Sequence, residues 1–472
     1  MAETNPGVSA RVINVNPRRD ANGVSYGPRR SFKVPGSGSA LLGAPRGGIA
    51  VVNRDGEFKG IFGTVNKLFE MQADYTFDEI GTGYTLPAAN NWAMMQYRDN
   101  VLLNNTFDGM KLFDSEVGGA VTAVPGAPKA RIMFLAFECV FALDCDGDNR
   151  LMKNSAPGTY NNWLSAGAGN QEFPDGEALM GSGQLNDNTA AVLQRAAVHV
   201  LNLSGDSRIY TKIKVADGIG AVNPECIVQA PGALYFWDSS GCYRISAAGL
   251  EAIGRDKVNK SFMDALGEDG LNTIEGAYDP ERKQVAWRYK SQAAPSDTVF
   301  DNIIVFDEVT KEFAEVHERT SALVKMSSPA LALEDLDQFG SIDSLAFSLD
   351  SSVWKGDRPR LGALDANHMF GFFEGGFLPA SIDTATLINP KSMLITSCLP
   401  VTDAADVTVS MGVRSRLADA VAWKLPRKMQ ASGRVPTKAR GKALTARADI
   451  ASSDWSFIRG IDDLVVSEGA GR

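Results

Sequence analysis

Ala233-Leu234-Tyr235-Phe236-Trp237, then Asp238-Ser239-Ser240-Gly241, then Cys242-Tyr243-Arg244-Ile245: two apolar runs joined by a tight Asp/Gly turn. Aromatic and β-branched residues on both sides of such a turn spell a β-hairpin. The phrase occurs also as Ile49-Ala50-Val51-Val52, Asp55-Gly56 and Phe58, and as Val101-Leu102-Leu103, Asp108-Gly109 and residues 110–113. It returns around Asp146-Gly147 and Ser204-Gly205. The turn glycines Gly56, Gly109, Gly147, Gly205 and Gly241 are spaced by 53, 38, 58 and 36 residues. Their mean spacing of about 46 is the size of one propeller blade.

Further along, Val285-Ala286-Trp287-Arg288-Tyr289 and Ile303-Ile304-Val305-Phe306 follow the same rule, with turns at Asp279-Pro280-Glu281-Arg282-Lys283 and at residues 307–311. A four-stranded blade cannot bury both faces alone, so blades stack around an axis. The expectation is an all-β chain whose residues 47–370 form a β-propeller of six or seven degenerate blades. A pair of β-sandwiches is the alternative architecture. Helical patterning is confined to 257–266 and 331–339, read as short helices at the rim.

Residues 371–472 change character and predict a C-terminal antiparallel β domain, with strands near 392–396, 406–413, 446–450 and 457–465. Residues 1–46 lack hydrophobic periodicity. Asn16-Pro17-Arg18-Arg19-Asp20, Gly27-Pro28-Arg29-Arg30 and Pro35-Gly36-Ser37-Gly38-Ser39 read as an extended N-terminal arm that a partner must order.

The 472 residues carry a formal charge of −9 that is unevenly spread. Residues 1–46 sum to +5, 411–447 to +9 and 448–472 to −3, which leaves −20 on residues 47–410. An acidic body with two basic extensions points to subunit docking or a nucleic-acid path. It argues against a simple DNA-binding protein, whose affinity comes from Lys/Arg contacts to phosphates. The segment 411–447 interleaves Trp423, Leu425 and Met429 with Arg427 and Lys428, the mixture of aromatic, apolar and cationic anchors that docking faces use. No apolar run approaches the roughly 20 residues of a membrane span. The N-terminal residues show no secretory pattern. Five scattered cysteines with no Cys-x-x-Cys pair read as reduced, mostly buried thiols.

Catalytic chemistry is poorly provided for. The three histidines, His199, His317 and His368, have no nucleophile-elbow serine or cysteine to serve. Asp144-Cys145-Asp146-Gly147-Asp148-Asn149 spaces its acids like a calcium loop, but glycine stands at the fourth place and no glutamate at the twelfth, so it reads as a solvated hairpin turn. Ser348-Leu349-Asp350-Ser351-Ser352-Val353-Trp354 is a loose Asp-box without the central glycine. Gly441-Lys442 is no P-loop and Gly181-Ser182-Gly183 opens no Rossmann unit. The reading is therefore of a non-enzyme with no cofactor and no metal.

Residues 220–254 (from Gly220-Ala221-Val222-Asn223-Pro224-Glu225-Cys226 through the quoted hairpin to Leu250-Glu251-Ala252-Ile253-Gly254), the turn at 278–287 and Ile304-Val305-Phe306-Asp307 together resemble a family of bacteriophage virion proteins. These are related to the tail nozzle of short-tailed phages (tail tubular protein B, tail hub or packaged-DNA stabilisation protein). The basic stretch with Val413-Arg414-Ser415-Arg416-Leu417 and Trp423 is similar to the C-terminal part of such proteins. The resemblance spans roughly residues 46–472. It implies a structural virion protein, made in the host bacterial cytoplasm and carried in the tail. It implies a homo-oligomer, a hexameric ring below the adaptor and portal proteins that also meets tail fibre or needle proteins. Double-stranded viral DNA would be retained in, and ejected through, its central channel. The residues expected at subunit interfaces are Arg414, Arg416, Trp423, Lys424, Arg427, Lys428 and Arg434, with Arg18, Arg19, Arg29 and Arg30 in the arm. The alternative function is a receptor- or carbohydrate-binding propeller.

Overall fold

The computed structural model describes residues 9–327 and 359–468, apart from 21–22, 36–37, 55, 57, 89, 166, 205–208, 268–269, 296–298, 417–418 and 452–453. The helix expected at 331–339, the stretch 348–354 and Gly205 lie outside the described residues.

The decisive stretch folds as read. Strands Ala233–Asp238 and Gly241–Ser246 pair with Trp237 opposite Cys242. The Asp238 carboxylate accepts from the Ser240 N–H at 2.7 Å, pinning the turn. Gly241 has φ +140°, and a Cβ there would lie 1.8 Å from Asn259 Nδ2. Asn259 uses that space to accept from the Cys242 N–H and donate to the Ser240 carbonyl, both at 3.2 Å. The other turn glycines that are described, Gly56, Gly109 and Gly147, also have positive φ.

Six antiparallel sheets stand as separate blades, spanning 48–82, 93–123, 130–172, 179–217, 228–252 and 322–372. A seventh four-stranded meander, from Glu275–Asp279 to Phe313–Val316, fills the ring between the fifth and last of these and continues into the C-terminal sheet. Numbered in chain order, this meander is blade 6 and residues 322–372 are blade 7. Successive blades pack in chain order, and the first strand of blade 7, Ala322–Met326, returns against Gly48–Val52 of blade 1. Because each blade has neighbours on both faces, Ala233–Asp238 and Gln284–Tyr289 are buried at every position rather than alternately. Trp237 lies 4.2 Å from Phe262 and meets Trp287 edge-on at 5.8 Å. Phe262 belongs to the helix Asn259–Ala265, inside the expected 257–266. All five cysteines are free and buried.

The N-terminal segment does not project as an arm. Ser9–Ile13 pairs antiparallel with Ala380–Thr384 and touches Phe313–Val316 of blade 6 in parallel register. Val15–Asp20 and Gly23–Pro28 form a hairpin whose Tyr26 pairs with Ile458. Val12, Val15 and Tyr26 thus join the C-terminal core with Ile382, Ile395, Val409 and Val435. The next residues pair with blade 7, in which three strands are formed among the described residues. Lys33 and Phe372 exchange backbone hydrogen bonds of 2.8 and 3.0 Å, and the Leu41 N–H donates to the His368 carbonyl at 3.0 Å. Beside this strap, Glu374 gathers Arg282 at 3.2 Å, Arg30 at 3.7 Å and Arg360 at 4.0 Å. The ordering partner expected for the arm is the same chain.

The C-terminal unit begins at Ala380–Thr384 rather than at 371, since Phe370–Phe372 belongs to blade 7. Its frame is three long strands, Leu387–Thr402, Val435–Ile450 and Ile458–Glu468, with Val407–Arg414 on the far edge of the second. Among the described residues no helix is long and apolar enough to cross a membrane.

The closure is tested at Gly371, where a Cβ would sit 2.3 Å from the Lys33 carbonyl oxygen. Gly371→Val is expected to cost about 2–3 kcal/mol through overpacking and to expose residues 29–41 to protease. Thermal melting and limited proteolysis read both effects.

Candidate docking face and axial channel

The basic face is built on the first half of Val435–Ile450. Side chains alternate across a strand, so Val435, Thr437 and Ala439 turn inward while Pro436, Lys438 and Arg440 turn out. Lys442 continues the outward row. Val407–Arg414 carries a broken outer partner: Trp423 pairs with Gly412, and Arg427 with Val409. Pro426 has no N–H to give between these two pairings. The chain bows there and leaves Leu425 82% exposed. Under the bow lies a cleft of about 210 Å³, lined by Val409, Met411, Lys424, Leu425, Arg427, Thr437 and Lys438.

The expected interface residues divide. Lys424 and Arg427 meet at this cleft, and Lys428, on the same short strand as Arg427, is exposed and 3.6 Å from Asp406. Trp423 is 37% exposed, with the Arg447 guanidinium 4.1 Å from its ring centroid. Arg416 is exposed, and its backbone N–H donates to Asp419. Arg414 and Arg434 are half-buried and donate to Thr386 and Ser397, at 2.7 and 3.2 Å. Arg18 and Arg19 are exposed on the N-terminal hairpin, and Arg18 reaches the Ser456 carbonyl at 3.3 Å. Arg30 is exposed, 5.4 Å from the centre of the Phe377 ring.

Arg29 corrects the expectation. It is 3% exposed and donates to Asn16 Oδ1 at 3.0 Å and Gln284 Oε1 at 3.2 Å. Burial, helped by the Arg282 charge, draws its pKa down to about 10, which still leaves it charged at neutral pH. It ties the N-terminal hairpin to blade 6 and is not available to a partner. Conversely, the cleft includes Thr437 and Lys438, which are not among the expected interface residues, beside Leu425 of the expected docking segment. The two-residue alternation of Val435-Pro436-Thr437-Lys438-Ala439-Arg440 was the signal that would have found the first two.

Charges from elements of four blades act on the Glu225 carboxyl. Arg46 precedes blade 1, Arg131 lies in the first strand of blade 3, Glu225 sits in the turn Pro224–Cys226 leading to blade 5, and Glu275 opens blade 6. The Glu225 carboxyl is pushed up by burial and further by Glu275, against the pull of Arg131 and Arg46. Glu275 accepts from Arg288 Nε at 3.0 Å. For Glu225 the burial penalty outweighs the attraction of the two arginines, so its charged form is disfavoured in the fold.

Residues 144–149 form a hairpin turn: Asp146 pairs with Lys153 at 2.6 Å and Asp148 accepts from the Arg150 N–H. His199 is buried edge-on to Phe173, its pKa lowered to about 4 by burial and then by Lys212 and Lys214. Among the described residues no group of three His, Cys, Asp or Glu is placed to hold a metal.

No protein-family model matches the chain, and no curated protein matches it. Solved structures with a similar course include U3-55K, at 10% identity and a TM-score of 0.39 over 64% of this chain and 90% of that one. Virginiamycin B lyase from Staphylococcus aureus is 13% identical, with a TM-score of 0.30 over 50% of this chain and 76% of that one. A fungal alcohol oxidase of the AA5 family in complex with copper is 10% identical, with a TM-score of 0.41 over 88% of this chain and 92% of that one. At such scores the likeness carries no argument about function.

A carboxyl whose folded-state pKa is raised opposes folding once ionised, so its penalty is absent in acid and grows as pH rises through the folded value. Glu225→Gln is therefore expected to raise the melting temperature at neutral pH and leave it unchanged below the ordinary carboxylate range. Thermal unfolding on both sides of that window measures it.

Proposed function

We propose that this chain is a structural, non-catalytic subunit of a bacteriophage tail, forming a nozzle ring whose central channel retains and releases the genome. The observation that carries the reading is the separation of charge on one molecule. Residues 47–410, most of them propeller, carry a net −20, and the C-terminal sheet bears an outward row of Lys438, Arg440 and Lys442 beside exposed Trp423 and Leu425. Apolar anchors set among cations are the composition of a docking face. The sequence resemblance to short-tailed phage nozzle proteins gives the ring its biological setting, beneath adaptor and portal and above fibre or needle proteins.

The charge also fits the cargo. DNA binds where Lys and Arg neutralise phosphates, and acidic walls do the reverse, letting a duplex slide. In this reading the DNA path is the channel enclosed by the ring of subunits. The fused C-terminal sheet serves as the mount that turns separate propellers into one wall.

Two measurements test the reading. Quantitative mass spectrometry of purified particles is expected to find about half as many copies of this chain as of the portal protein, and absence from particles would overturn it. The double substitution Arg427→Glu, Lys428→Glu is expected to abolish ring assembly while circular dichroism and melting stay unchanged, since both side chains are exposed. Normal assembly of that variant would count against this docking face.

A further inference from the structure

The cleft under Leu425 has the properties of a specific site rather than of a generally basic surface. Its neighbours are already neutralised: Lys428 faces Asp406, and Arg447 holds Asp383 at 2.6 Å. Lys424, Arg427 and Lys438, which line the cleft, make no ion pair among the described residues. Three cations around one small opening repel one another unless an anion sits between them. The floor is apolar, from Val409 and Met411, and Leu425 overhangs it.

A second observation is independent of charge. Thr437 also lines the cleft, is only 8% exposed, and its Oγ1 has no hydrogen-bond partner. Leaving a buried hydroxyl unpaired is costly, and such groups call for an explanation. A carboxylate in the cleft would accept from that hydroxyl while facing the three cations.

We propose that this cleft receives a carboxylate-bearing segment from the acidic propeller body of a second copy of the chain. The inference rests on the ring reading and names its contact. Charge complementarity selects the occupant: the cleft is unpaired and positive, and residues 47–410 of the same chain, most of them propeller, carry a net −20. Charge also fixes the symmetry. Two copies cannot bury this face against each other, because like charges would meet, so a two-fold contact through it is unfavourable. A contact between the basic cleft of one copy and the acidic body of the next is head-to-tail, and repeated contacts of that kind close into rings when the rotation allows. The apolar floor favours a segment that carries a small apolar side chain beside its acid.

The test is sedimentation velocity on the full chain at low and high salt, comparing wild type, the triple variant Lys424→Glu, Arg427→Glu, Lys438→Glu, and Thr437→Val. Wild type is expected to assemble at low salt, and the triple variant to remain a monomer that melts like wild type. Thr437→Val removes the orphaned hydroxyl at nearly constant shape. Its monomer is expected to melt at least as high as wild type, yet to associate about ten-fold more weakly, the worth of one hydrogen bond to a charged group. A merely structural Thr437 would not divide melting from assembly in this way. If wild type and both variants assemble alike, the cleft is not the contact and the ring reading survives. A wild type that stays monomeric at every salt and concentration overturns both.

Discussion

Two backbone hydrogen bonds between Lys33 and Phe372 tie the N-terminal segment to the edge of blade 7. The ring closes through one apolar cluster in which Phe62, Phe69 and Met71 of blade 1 meet Val324, Met326 and Phe370 of blade 7, and the strand Phe370–Phe372 at the edge of blade 7 is covered by chain from elsewhere rather than left unpaired. The covering segment comes from the N-terminus, which has already passed through the C-terminal sheet as Ser9–Ile13, Val15–Asp20 and Gly23–Pro28. One continuous stretch thus covers the edge of blade 7 and anchors the second unit to it. Arg29, buried between Asn16 and Gln284, and Glu374, among three arginines, fix the junction with charges that cannot easily leave. Breaking such buried groups apart costs more than breaking surface pairs, because each partner is stranded without water.

The propeller was legible because its signal is local. A hairpin needs a turn of positive φ between two apolar runs, and Gly241 supplies it in a place where a side chain would collide with Asn259. The arm was illegible for the opposite reason. Val12, Val15 and Tyr26 are too few and too far apart to show a period, yet they suffice when a large sheet is already present to receive them. Arg29 looked like part of a basic surface because nothing near it in sequence reveals Gln284, which lies 255 residues away. Where a strand imposes alternation, the sequence says which side chains face out. In 435–440 the inward and outward rows can be read directly, whereas the cleft itself needed the bow at Pro426, a property of three-dimensional pairing.

The same architecture sets what the molecule offers to others. Blades bury their faces against one another, and the apolar side chains the propeller still exposes, such as Phe107, Val117 and Leu164, stand on separate blades and loops. The C-terminal sheet, mounted at one site, carries the exposed apolar and cationic anchors. Function in this account follows from charge segregation on a rigid scaffold: an acidic body, an unneutralised basic cleft, and a junction stiff enough to keep their relative geometry. Association driven in this way weakens as salt screens the charges.

The most direct measurement is electron microscopy of the purified chain at low and at high ionic strength. The account predicts closed rings with an open centre at low salt that disperse into single subunits as salt rises. Single subunits at low salt, or assemblies indifferent to salt, would contradict it.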